Sequence, residues 1–194
     1  MKFYTSIMQK VVEIIKKLDV YIALSAIYLL LYIVFGNKVE YGITNTSPFY
    51  THITYIFVHA NFLHLAMNIF SLGFTLKLLK KMAGMKYYLL MTIGFISSFV
   101  ASFISAEEVV TVGISGVIYA LLGTYCYLRF DKLALKLLGT LTIINIIQYI
   151  FGSINVKIHL FSLIFGFICT ALWDSYYVIK FVINEKRKDT KRRK

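Results

Sequence analysis

Six apolar stretches, each close to the ~20 residues an α-helix needs to cross the hydrocarbon of a bilayer, account for most of this chain. They run from about Val20 to Gly36, Phe57 to Leu79, Tyr87 to Ser105, Gly113 to Phe130, Leu133 to Phe151 and Ile158 to Val182. With 59% hydrophobic residues, 15% charged residues and a single proline among 194, the composition excludes an ordinary soluble domain. The expected architecture is one all-α membrane domain over residues 20–182. A segment at 1–19 precedes it, with Phe3, Ile7, Val11, Ile14, Ile15 and Leu18 on one side of a helix and Lys10, Lys16 and Lys17 elsewhere; it reads as a helix lying on the membrane surface. A basic run over 183–194 reads as a solvated cytoplasmic tail beside anionic lipid.

Charge fixes the expected orientation, because cytoplasmic loops carry excess Lys and Arg. With both termini in the cytoplasm, the inner side holds Lys2, Lys10, Lys16 and Lys17, then Lys77, Lys80, Lys81 and Lys86, then Arg129, Lys132 and Lys136, and eight residues at the C-terminus. Only Lys38 and Lys157, of 21 basic residues, fall outside. The net charge of +12 therefore belongs to membrane topology, and no nucleic-acid partner is expected, since the basic residues do not gather on one folded face. Cys126 and Cys169 lie inside apolar spans, where they read as small buried hydrophobes.

This orientation collects the polar residues of the spans at their outer ends. VGISGVIYALLG, Val112 to Gly123, opens on a serine between glycines. In a helix starting near Gly113, Ser115, Tyr119 and Gly123 share one face, and Gly116, Ala120 and Gly123 form an adjoining strip almost without side chains. Such a strip admits a second helix to backbone contact. A serine hydroxyl becomes a nucleophile only with a base within about 2.6–3.2 Å. His159, at the outer start of the sixth span, heads its own small strip of Ser162 and Gly166, and a Ser115–His159 pair is the expected catalytic dyad. Taken singly, the serine is also an ordinary packing site and the histidine an interfacial cap or anchor. An ionisable group inside the membrane, however, points to function.

His64 and Asn68 lie four apart on one helical face, and both side chains can donate to the oxyanion of an acyl-transfer intermediate. A metal site built from His59, His64 and His159 is the rival reading; no supporting Cys or HExxH spacing accompanies it and no carboxylate completes the shell. No metal and no cofactor are expected. His52 reads as a loop residue. Asp131 and Asp174 belong to the cytoplasmic side and Glu107 and Glu108 to the outer loop, so no acidic third member is expected.

Together these residues resemble the rhomboid intramembrane serine proteases, over roughly Tyr50 to Asp174. The resemblance rests on the H-x4-H-x3-N pattern of His59, His64 and Asn68, on GxSG at Gly113 to Gly116 followed by Tyr119 and Gly123, and on His159 with its small residues. It implies a six-transmembrane-helix bundle with Ser115 as nucleophile and His159 as general base. It also implies a Tyr119 ring packed on that histidine, and an oxyanion hole of Asn68, His64 and the Ser115 backbone amide. Gly113, Gly116 and His59 would support the site. Two departures stand out: Ser162 replaces a glycine of the family's HxxGxxxG, and Tyr50 and Thr51 stand near the usual Trp-Arg pair of the first loop.

The expected function is that of an intramembrane endopeptidase cleaving transmembrane segments of other membrane proteins near the outer leaflet. The expected location is a bacterial plasma membrane. The alternative is an inactive rhomboid-like protein that binds or escorts membrane partners; members of that class typically lack the Ser or the His, and both are present here. A transporter or channel would need charges near the midplane or interrupted helices in paired halves, and neither is visible.

Overall fold

The computed structural model describes residues 20–80, 87–150 and 155–192. The surface helix expected over Lys2 to Asp19 lies outside them. The described chain forms seven helices and no named strand: α1 (Val20–Phe35), α2 (Thr51–Thr54), α3 (Phe62–Lys80), α4 (Tyr87–Ser105), α5 (Ser115–Leu128), α6 (Lys132–Ile150) and α7 (Val156–Arg192). Two 3-10 turns, Val39–Tyr41 and Tyr55–Phe57, interrupt the long connection between α1 and α3. An isolated antiparallel bridge, Ile43 to Thr111, ties that connection to the segment leading into α5.

The helix α5 is the axis of the molecule. Every residue from Gly116 to Cys126 is buried, because α3, α4 and α7 all pack on it. The closest approach is to α7. A Cβ on Gly123 would overlap the Leu163 carbonyl, and one on Gly166 would overlap the Ala120 carbonyl, so the two strips of small residues bring backbone against backbone. Lower in the same seam Thr170 Oγ1 donates to Thr124 Oγ1 at 2.9 Å. Leu65, Leu72 and Leu76 from α3 and Leu90 and Ala101 from α4 complete the core around Val117 and Leu121. By contrast, α6 buries only Ala134 among its described side chains.

Large apolar side chains stand outward on the long helices, among them Ile33, Phe70, Ile96, Ile147 and Leu172, an exterior suited to hydrocarbon rather than water. Phe62–Leu79 and Val156–Tyr177 are long and apolar enough to cross a membrane; Tyr21–Phe35, Leu89–Ser105 and Ser115–Leu128 are shorter apolar helices.

Three helix ends differ from the sequence expectation. The second span begins at Phe62 rather than Phe57, because Val58 is extended (φ −101°, ψ 146°) after the 3-10 turn; His59 therefore precedes the helix and His64 sits in its first turn. The fourth begins at Ser115 rather than near Gly113, whose φ of +108° is incompatible with a right-handed helix. The sixth continues unbroken to Arg192, well past Val182. Lys, Arg and Glu are good helix formers, so a basic run in solvent is no reason for the helix to stop.

Candidate active site

The site forms where the first turns of α3, α5 and α7 meet. The position of α7 is set by Asn155, which is buried just before it. Its Oδ1 accepts the Ile158 N–H at 3.2 Å as an N-cap. Its Nδ2 donates to the Ser105 carbonyl at 2.6 Å and to Thr111 Oγ1 at 2.9 Å. One cap thus pins the end of α4, the loop before α5 and the start of α7, and His159 follows a turn later.

Entry into α5 is governed by Gly113. Its N–H donates to the Tyr55 carbonyl at 2.8 Å, and its positive φ turns the chain so that Ser115 begins the helix. A Cβ here would lie 2.9–3.0 Å from the His64 ring and 3.0 Å from Asn68 Nδ2. The absence of a side chain is what lets His64 and Asn68 close on the backbone leading to the serine.

Ser115 Oγ lies 2.9 Å from His159 Nε2, within range for proton transfer. His159 is 4% exposed, while Ser115 is only partly buried. The Tyr119 ring stacks on the His159 ring with centroids 4.2 Å apart and planes 2° from parallel. The other imidazole nitrogen, Nδ1, lies 2.9 Å from Asn145 Oδ1, and Asn145 Nδ2 donates to the Tyr119 hydroxyl at 2.9 Å. The sequence reading missed Asn145. Its signal was available: an amide in the apolar run LTIINIIQYI, where a polar group is costly without a partner.

Asn68 is buried and its Nδ2, which stands against Gly113, has no protein partner among the described residues. The His64 ring is half-buried, and its backbone N–H is received by Asn61 Oδ1 at 2.8 Å. His59 is fully buried, its ring edge-on to both His64 (5.3 Å) and Tyr28 (5.8 Å). Gly116 faces Ser98, Ser162 and Tyr55. The Ser162 hydroxyl is buried without a protein partner among the described residues, so the extra group of that departure is accommodated opposite a glycine. Among the described residues, no three or more His, Cys, Asp or Glu side chains cluster as a metal ion requires.

The first loop is tied to α4 without a Trp-Arg pair. Tyr55 hydrogen-bonds Ser98. His52, expected to be an idle loop residue, places Nδ1 2.8 Å from Ser102 Oγ and stacks on Phe103 at 4.1 Å. Burial pushes the His52 imidazole below its ordinary pKa.

Comparison with known proteins identifies the family. The family model "Rhomboid domain" matches residues 46–178. A Bacillus subtilis (strain 168) protein named "Putative rhomboid protease YdcA" is 30% identical over 146 residues, which cover 68% of this chain and 70% of that protein.

Proposed function

This chain belongs to the rhomboid family, membrane-embedded proteins known for intramembrane serine proteolysis, and from that membership we propose that it is an intramembrane serine endopeptidase working through Ser115 and His159. The observation that carries the reading is the 2.9 Å approach of Ser115 Oγ to His159 Nε2.

In the proposed reaction, His159 Nε2 takes the Ser115 proton as Oγ attacks the scissile carbonyl, and the tetrahedral oxyanion receives hydrogen bonds from Asn68 Nδ2, the His64 ring and the Ser115 backbone N–H. His159 then gives that proton to the leaving amine, and the C–N bond breaks to leave an acyl-Ser115 ester. A water, deprotonated by the same nitrogen, attacks the ester and regenerates the serine. The stacked Tyr119 ring keeps the imidazole plane fixed throughout.

The proposed topology is six spans with both termini cytoplasmic. At 1.5 Å per residue the 14 residues of α5 cover only about 21 Å of a hydrocarbon core near 30 Å thick. If its C-terminal end reaches the inner boundary, Ser115 stands roughly 10 Å below the outer one. Irregular backbone at that depth is tolerable because it is buried in protein, as Gly113 is through its bond to Tyr55. Substrates in this reading are transmembrane segments that unwind near the outer leaflet, since a helical peptide bond is both shielded and hydrogen-bonded. A bacterial plasma membrane is the proposed location.

The test is cleavage, in liposomes, of a tagged single-span protein carrying small residues near its outer end. Wild type should cut, while Ser115→Ala and His159→Ala should not. A fluorophosphonate probe should label wild type but not Ser115→Ala. Undiminished cleavage by Ser115→Ala overturns the reading; failure of wild type both to cut and to be labelled favours a binding protein.

A further inference from the structure

The helix α6 buries one described side chain, Ala134, yet contributes a polar group to the centre of the site. Asn145 Oδ1 meets His159 Nδ1 at 2.9 Å, and Asn145 Nδ2 meets the Tyr119 hydroxyl at 2.9 Å. We propose that Asn145 is a positioning residue that holds His159 in the tautomer and ring orientation needed to receive the Ser115 proton, an inference that rests on the protease reading above.

An amide oxygen only accepts, so His159 Nδ1 must carry the proton that faces Asn145 Oδ1. A neutral imidazole with Nδ1–H leaves Nε2 as a bare acceptor, and Nε2 is the atom that faces Ser115 Oγ. The Tyr119 hydroxyl receives the Nδ2 donor, so in this arrangement the acceptor Oδ1 is the amide atom that faces the histidine. The reverse orientation would present N–H to Nδ1, drive the ring proton to Nε2 and leave the serine without a base. Asn145 also remains a good acceptor when His159 becomes an imidazolium, because Nδ1–H persists in both charge states.

Each of the three contacts thus fixes a different degree of freedom. Stacking on Tyr119 sets the plane of the imidazole, the Asn145 bond sets its rotation within that plane, and the amide orientation sets its proton. A wrongly placed ring proton is expensive for a serine protease even when geometry survives.

The experiment compares wild type, Asn145→Leu, Asn145→Asp and, as a control on the same helix, Ile146→Ala, whose side chain is exposed. Each is reconstituted in liposomes with the single-span substrate. Initial rates over a substrate series, fluorophosphonate labelling of Ser115 and unfolding temperature are measured. Asn145→Leu should lose roughly 10- to 100-fold in kcat with KM unchanged, a fraction of what general-base catalysis is worth. Asn145→Asp, which can only accept, should restore most of that loss.

Its carboxylate should also move the acid limb of the kcat profile to higher pH, by stabilising the imidazolium. The other titratable groups facing the ring, His64 from α3 and Tyr119 from α5, are the same in every variant. Ile146→Ala should behave as wild type. The inference is overturned if Asn145→Leu keeps the wild-type kcat, if only KM changes, or if Leu and Asp fail alike, which marks a structural role. A wild type that neither cleaves nor labels takes down the protease reading itself, an outcome distinct from a wild type that labels and cuts beside an unaffected Asn145→Leu.

Discussion

Gly113 is constrained twice, by a backbone angle that an L side chain rarely adopts and by His64 and Asn68 standing where its Cβ would go. Gly113→Ala should therefore destabilise the protein by about 1–3 kcal/mol and, because the displaced groups are the proposed oxyanion donors, lower kcat more than it raises KM. Unfolding temperature in detergent and initial rates check the two halves separately. His52 supplies a second test. Its imidazole is held below its ordinary pKa by burial, so the folded protein keeps it neutral where an unfolded chain would protonate it. The stability this contributes is present above about pH 6.5 and is lost as pH falls below that value. His52→Phe keeps a ring for Phe103 and cannot titrate. Its unfolding temperature, relative to wild type, should improve between about pH 7.5 and pH 5.5; an unchanged difference would show that the charging of His52 is without cost.

Among the elements, α5 and α7 carry the precision. Ser115 and His159 sit at matching ends of two helices whose glycines touch the opposite backbone, at Gly123 against Leu163 and at Gly166 against Ala120. Any β-carbon there pushes whole helices apart, and neither obstacle is a flexible side chain. Gly123→Ala and Gly166→Ala should each cost about 1–3 kcal/mol, and the Ser115–His159 separation should grow enough to reduce fluorophosphonate labelling. Equal labelling of wild type and both variants would show that the seam does not set the dyad distance. The small-residue strips behind this prediction were legible from spacing alone, because three- and four-residue periodicity is local. The helix starts were not. Gly113 lies in the same apolar run as Ser115, and only the hydrogen bond to Tyr55, from a distant loop, shows that the chain is still turning there.

For the whole molecule, the orientation proposed from the distribution of basic residues can be tested directly. Cysteines introduced at Lys38 and Lys132, both exposed, should react with a membrane-impermeant maleimide from opposite faces of oriented vesicles, Lys38→Cys from outside and Lys132→Cys from inside. Labelling of both from one face would sink the six-span topology with cytoplasmic termini. At this scale the sequence by itself determined an all-helical chain, membership of the rhomboid family and the residues proposed for its chemistry: apolar length, periodicity and motif spacing are all properties of short stretches. Tertiary structure alone decided that His52 anchors the first loop to Ser102, that Asn155 ties three elements to the start of α7, and that Asn145 faces His159. Each is a contact between separate elements of the chain. For α6 the reason is plainest: a helix with apolar residues on nearly every side carries no pattern that fixes its rotation, so only its contacts with Tyr119 and His159 reveal which way Asn145 points.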